Sequence, residues 1–100
     1  MDEFAERQRV DALSRDARSL RRSILSLAES RGADKTICPS EVARSLAGAD
    51  ETLWRRLMKP IRAEAVALAL EGHVVIKRKG RPVDDPREFR GIYRIAIAPE

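Results

Sequence analysis

The 100-residue sequence predicts a small, mainly helical domain closed by a two-stranded β-hairpin. Three observations lead to this fold class. Apolar residues recur at helical spacing from residue 10 onward, two further helical segments follow in the middle of the chain, and two runs rich in β-branched residues flank a turn near the C-terminus. A chain of this length holds one compact domain and excludes a two-domain enzyme.

The first helical segment carries an apolar stripe. It starts at Val10 and continues to Leu27 at steps of three and four residues, which is typical of an amphipathic helix ended by Gly32. The stripe is thin near its start, so we interpret residues 1–17 as an N-terminal helical extension and residues 18–97 as the main domain. Two interpretations of the extension stay open: a surface helix, or a seam through which two copies form a homodimer.

The middle of the chain predicts a helix, a short turn and another helix. Pro39 suits the first position of a helix, and Asp50 suits the N-cap of the next one. That next helix is expected over 51–71. Pro60 must kink or divide it, because the ring removes one backbone hydrogen bond and clashes with the preceding turn.

The last third of the chain predicts the hairpin. Residues 73–79 and 91–97 have the composition of strands, and residues 80–86 that of a turn. With a short β-type segment at 36–38, the order is helix, strand, helix, turn, helix and hairpin. This is the arrangement of a winged helix-turn-helix domain with three core helices, in which the hairpin loop is the wing.

Two stretches resemble a bacterial winged helix-turn-helix domain family of unknown function. They are the Cys-Pro-Ser-Glu-Val-Ala sequence at 38–43 and the Lys-Gly-Arg-Pro-Val-Asp sequence at 79–84. The resemblance covers residues 18–97 and implies the fold without implying any biochemical activity. The chain departs from the family at Ile92, where the resemblance leads us to expect a proline after Gly91.

Basic residues are concentrated in the second half of the chain. The formal net charge is +4, and residues 55–81 hold 8 basic and 2 acidic side chains, whereas residues 1–35 hold 8 and 7. This uneven distribution favours nucleic acid as the partner.

Two basic clusters are the candidate contacts with double-stranded DNA, one on the helix over 51–71 and one at the start of the wing. On a helix, Arg55, Lys59 and Arg62 lie within about 60° of one another. Arginine forks read guanine edges and lysines neutralise phosphates. The alternative interpretations are a solvated helix face and lysines that protect an exposed strand edge. The candidate nucleic-acid-binding residues are Arg55, Arg56, Lys59, Arg62, Lys77, Lys79 and Arg81.

Residues suited to catalysis or metal binding are scarce. One cysteine, Cys38, and one histidine, His73, supply neither a zinc site nor a nucleophile with its base. We therefore expect no enzymatic activity, no metal or other cofactor, and no small-molecule substrate. Cys38 is expected to be a small buried hydrophobe, with a redox switch as the alternative.

The cellular location is expected to be cytoplasmic, without a membrane partner. A single cysteine excludes an intramolecular disulfide, and the sequence has neither an export signal nor an apolar run long enough to span a bilayer.

The sequence therefore predicts a DNA-binding winged-helix protein, with transcription regulation as its expected role. The alternative function is a protein-interaction module that meets an acidic partner through Arg55, Arg56 and Arg62 and does not bind DNA.

Overall fold

The computed structural model describes residues 2–99, which form a mainly helical domain with a small three-stranded antiparallel sheet. The arrangement is winged-helix-like, as the predicted order of elements indicates. The helices are α1 (Glu3–Ser14), α2 (Ala17–Arg31), α3 (Pro39–Ala47), α4 (Glu51–Trp54) and α5 (Met58–Leu70), with a 3₁₀ turn at Arg55–Leu57 between the last two. The strands are β1 (Val74–Arg78), β2 (Arg81–Pro82) and β3 (Arg94–Ile97).

The apolar stripe that starts at Val10 runs through two helices, so the prediction of one continuous helix is wrong. The chain breaks between α1 and α2, where the Asp16 carboxylate accepts hydrogen bonds from the backbone N–H and the hydroxyl of Ser19. This cap satisfies a backbone donor at the start of α2 and so favours a new helix there. The predicted extension is helical, and its boundary at residue 17 stays a prediction.

Helix α1 is docked on the rest of the chain. Val10 is 0% exposed. An ion pair of 3.0 Å joins Asp11 Oδ1 to Arg56 Nη1, and the Arg9 guanidinium donates a hydrogen bond to the Leu46 carbonyl. Val10, the first residue of the predicted dimer seam, is therefore buried by contacts within the same chain. The homodimer stays a prediction.

Helix α3 and the helical segment from α4 to α5 correspond to the predicted helix, turn and helix. Pro39 is the first residue of α3, and Asp50 caps α4 by accepting a hydrogen bond from the Thr52 N–H, both as predicted. The helix expected over 51–71 is divided, but the division lies in the 3₁₀ turn and not at Pro60. Pro60 is the third residue of α5, where a backbone N–H has no intrahelical partner and its absence costs no hydrogen bond.

The two predicted strands pair as β1 and β3, and the sheet has the order β2-β1-β3 because an additional strand, β2, lies within the segment predicted as the turn. Strand β1 turns into β2 within two residues, Lys79 and Gly80. The segment 83–93 then crosses to the other edge of β1, where β3 pairs with it. The prediction rested on the turn composition of residues 80–86, whereas the actual turn uses Lys79, a residue other than glycine with a positive φ, which is uncommon.

The β-type segment predicted at 36–38 pairs only through Ile37, on the edge of β3 that does not contact β1. Ile37 forms an antiparallel bridge with Ile95, through N–H to carbonyl distances of 2.8 and 3.0 Å. On β1, Val74 and Ile76 are buried, so the side chains alternate between the core and the outer face of the sheet. No helix in the described part of the chain is long and apolar enough to span a membrane.

Candidate nucleic-acid interface

The hairpin between β1 and β2 has a tightly constrained tip. Lys79 has φ 53° and Gly80 has φ 80°, and Arg78 pairs directly with Arg81 on either side of them. Two successive residues with positive φ are the signature of a type I′ turn, whose twist matches that of the flanking strands. The turn therefore fixes the backbone of Lys79, whose side chain is exposed.

Like charges face each other across both sides of β1. Arg78 lies opposite Arg81, and Lys77 lies opposite Arg94. Directly opposed like charges destabilise an antiparallel pair. The side chains in each of these two pairs therefore repel each other, and a bound anion would reduce the repulsion.

Two of these four side chains are held by other parts of the fold. Arg78 Nε donates a hydrogen bond of 3.0 Å to the Ile92 carbonyl, and Arg94 Nε donates one of 2.6 Å to Thr36 Oγ1. The three predicted contact residues on the hairpin behave differently. These residues are Lys77, Lys79 and Arg81. No carboxylate of the described residues lies within ion-pair distance of their side chains.

The predicted contact residues near the start of the helical segment are in part engaged. Arg55 Nη2 lies 2.7 Å from Glu51 Oε2, one helical turn earlier, yet its side chain is 71% exposed. Arg56 is paired with Asp11 of α1. Lys59 is exposed and has no ion-pair partner within residues 2–99. Among the predicted contact residues Arg55, Arg56 and Lys59, Lys59 is therefore the one whose charge is not paired with a carboxylate.

Arg62 lies in a different environment from the other predicted contacts. Its guanidinium carbon is 3.9 Å from the centre of the Phe89 ring and 5.5 Å from that of Tyr93, and the guanidinium donates a hydrogen bond to the Phe89 carbonyl. The two rings meet edge to face at 5.2 Å. Arg62 therefore ties α5 to the segment that follows the hairpin, and for it to contact a ligand the side chain would have to leave this stack.

Two arginines that are absent from the predicted set lie beside the hairpin. Arg78 and Arg90 line an open groove of about 460 Å³ together with Arg81, and the carboxylates of Asp84 and Glu88 line it as well. A Cβ on Gly91 would lie 2.7 Å from Arg78 Nη2, so glycine makes room for this guanidinium. The glycine at position 91 is the signal in the sequence that could have indicated a side chain packed against the backbone there.

The surroundings of Cys38 and His73 are those of residues with a structural role. Cys38 is the N-cap of α3, and its backbone N–H donates a hydrogen bond of 2.7 Å to Glu41 Oε2. The hydrogen bond from Arg31 is the main reason that the pKa of the Glu41 carboxyl is lowered. His73 is exposed, and the described residues contain no group of three metal-ligating side chains. Cys38 is only half-buried, which corrects the expectation of a buried hydrophobe.

The fold and the hairpin together define a class: a winged-helix-like domain that carries a rigid basic hairpin. The chain belongs to the family described as protein of unknown function (DUF3253), whose match covers residues 17–98. The match begins at the first residue of α2, so α1 lies outside it. No curated protein matches the chain.

Proposed function

We propose that this is a winged-helix protein that binds double-stranded DNA. The observation that carries the proposal is the β1–β2 hairpin, on which Lys77, Lys79 and Arg81 have no carboxylate within ion-pair distance among the described residues. Most basic side chains of the described residues likewise have no carboxylate within ion-pair distance, so these three are distinguished by lying together on one short hairpin. Three free cations on a rigid tip are a suitable arrangement for phosphate contact.

The helical side of the interface adds a fourth free cation. Lys59 lies in the first turn of α5, and Arg62 on the same helix is bound to Phe89 in the segment after the hairpin. This contact limits the movement of the segment 83–93, which follows the hairpin, relative to α5. In the proposed complex Lys59 and the hairpin side chains neutralise phosphates, while Arg62 acts as a positioning residue.

The experiment is a fluorescence-anisotropy titration of a labelled random-sequence duplex at about 50 to about 200 mM salt. Four phosphate contacts predict a log–log salt slope of about −4. Simultaneous replacement of Lys77, Lys79 and Arg81 by alanine is expected to reduce the magnitude of the slope by about 3 units.

The matched control removes the same charge elsewhere. Arg15, Arg18 and Arg22 are exposed and lie at the end of α1 and the start of α2. Their replacement by alanine lowers the net charge equally and is expected to leave the salt slope unchanged. If both triple variants weaken binding by the same factor, only the net charge matters and the proposed interface is wrong.

A second candidate function is the binding of another protein. Leu70 at the end of α5 is 54% exposed and Ile92 in the segment after the hairpin is 84% exposed. Exposed apolar side chains beside basic ones are suited to a protein interface. Absence of duplex binding at about 50 mM salt would favour this function over DNA binding.

A further inference from the structure

The solvent-facing side of α5 is mostly aliphatic. Ile61, Ala65 and Leu68 are fully buried, and the opposite side of the helix exposes three residues. Ala63 and Leu70 are two of them, and Lys59 is the third. In a helix-turn-helix that binds DNA in the usual orientation, the second helix lies in the major groove, and α5 is the C-terminal part of that helical segment here.

The other polar side chains of α5 are engaged within the fold. Arg62 is stacked on Phe89, and Glu64 Oε1 lies 3.8 Å from Arg21 Nη1 of α2. Lys59 is therefore the one polar side chain that α5 leaves free. An ammonium group is a point charge on a flexible stem, whereas discrimination between bases rests mainly on bidentate contacts from arginine, asparagine or glutamine.

The residues before α5 offer two planar donors, Arg55 with a side chain 71% exposed and Arg56 with one 37% exposed. Arg55 is paired with Glu51, and the Thr52 hydroxyl donates to Asp50 Oδ1. An exposed pair one helical turn apart is weak, so Arg55 is able to exchange Glu51 for a phosphate or a base. Arg55 is thus the residue on which base recognition would depend if the protein had it.

We infer that the protein binds duplex DNA without regard to base sequence, through phosphates alone; this inference rests on the proposed function. The cations free to bind are three lysines, two on the hairpin and one on α5, together with Arg81, which lies on the hairpin and outside the helix-turn-helix. Specific regulators typically bind their sites about 10³–10⁷ times more tightly than random DNA. For this protein the expected ratio between the tightest and the weakest duplex of equal length is below about tenfold. The partner is therefore DNA as a polyanionic duplex, which differs from the sequence-specific target expected of a transcription regulator.

The test is a selection from a pool of random duplexes with the full-length chain, followed by titration of the enriched and the starting pools at about 50 mM salt. The expected result is that both pools bind with dissociation constants within about tenfold of each other. A selected sequence that binds more than tenfold tighter than the starting pool would overturn the inference while leaving the proposed function intact. If neither pool binds, the proposed function itself fails and the inference fails with it.

Two variants of exposed residues identify which side chain is responsible if the protein prefers one base sequence over another. Lys59→Ala is expected to weaken binding to every duplex by the same factor, because it removes one phosphate contact. Arg55→Ala is expected to leave the ratio between duplexes unchanged, because Arg55 is paired with Glu51 and is not one of the four proposed phosphate contacts. If Arg55→Ala abolishes a preference shown by the natural chain, Arg55 reads a base and the inference is wrong.

Discussion

The Arg62 guanidinium stacks on the Phe89 ring at 3.9 Å and donates a hydrogen bond to the carbonyl of the same residue, 27 positions further along the chain. This double contact connects α5 with the segment that returns the chain from the hairpin to β3. The segment 83–93 has no regular pairing of its own apart from the Val83 N–H, which donates to the Ile76 carbonyl. Arg62 is therefore one anchor of this segment, beside the buried Tyr93 ring and the hydrogen bond from Arg78 to the Ile92 carbonyl.

Arg62→Ala is expected to lower the free energy of unfolding by about 2–3 kcal/mol. A partly buried cation–π contact contributes about 0.5–2 kcal/mol and a hydrogen bond from a charged donor about 1.5–3 kcal/mol, and the two effects overlap. Urea denaturation measures the change. Lys59→Ala, on the same helix and exposed, is the control and is expected to change stability by less than about 0.5 kcal/mol. Equal losses from the two variants would contradict the structural role of Arg62.

The turn at the hairpin tip predicts stability changes of opposite sign. Lys79→Gly is expected to raise the free energy of unfolding by about 0.5–1 kcal/mol, because glycine adopts φ 53° without a steric cost. Gly80→Ala is expected to lower it by about 1 kcal/mol, since alanine is strained at φ 80°. Thermal unfolding at neutral pH measures both. A gain from Gly80→Ala, or a loss from Lys79→Gly, would show that the tip does not adopt the type I′ turn.

Because α1 is docked on the core through Val10, truncation of this side chain is expected to lower the stability of the protein. Val10→Ala removes two methyl groups from a fully buried position and is expected to lower the free energy of unfolding by about 1.5–2.5 kcal/mol. Phe4→Ala on the same helix is the control, because Phe4 is 65% exposed and its truncation is expected to cost less than about 0.5 kcal/mol. A chemical denaturation series compares the two. No difference between them would mean that α1 is not held on the core.

The single tyrosine predicts a loss of stability at alkaline pH. Burial raises the pKa of Tyr93 to about 12, although Arg62 nearby acts in the opposite direction. Above pH 10.0, the ordinary pKa of the phenol, the unfolded chain loses its proton while the folded chain keeps it, so the free energy of unfolding falls as the pH rises from there.

Tyr93→Phe removes this titration. Its stability is expected to fall less than that of the natural chain between about pH 9 and about pH 11, as measured by urea denaturation. At neutral pH the substitution is expected to cost little, because the buried hydroxyl has no hydrogen-bond partner in the described part of the chain. An ultraviolet titration of the folded protein with its phenol midpoint near the ordinary value would contradict the burial.

The features that the sequence predicts well are those governed by neighbouring residues. Asp50 caps a helix through an N–H two positions away, and Gly80 allows a turn within its own four-residue segment. The concentration of cations in 55–81 is likewise a property of the sequence alone. Even local rules compete, however, because Asp16 caps a new helix inside a stripe whose period predicts a continuous one.

The availability of the candidate site residues was decided by the tertiary structure. Arg56 is engaged by Asp11, 45 positions away, and Arg62 by Phe89, whereas Lys79 stays free at the hairpin tip. The sequence by itself determined the fold class and where its positive charge is concentrated. Which of those charges remain open to a phosphate depends on which carboxylates and rings the packed helices and strands bring within a few ångströms. Periodicity and capping act over three or four residues and carry no information about such contacts.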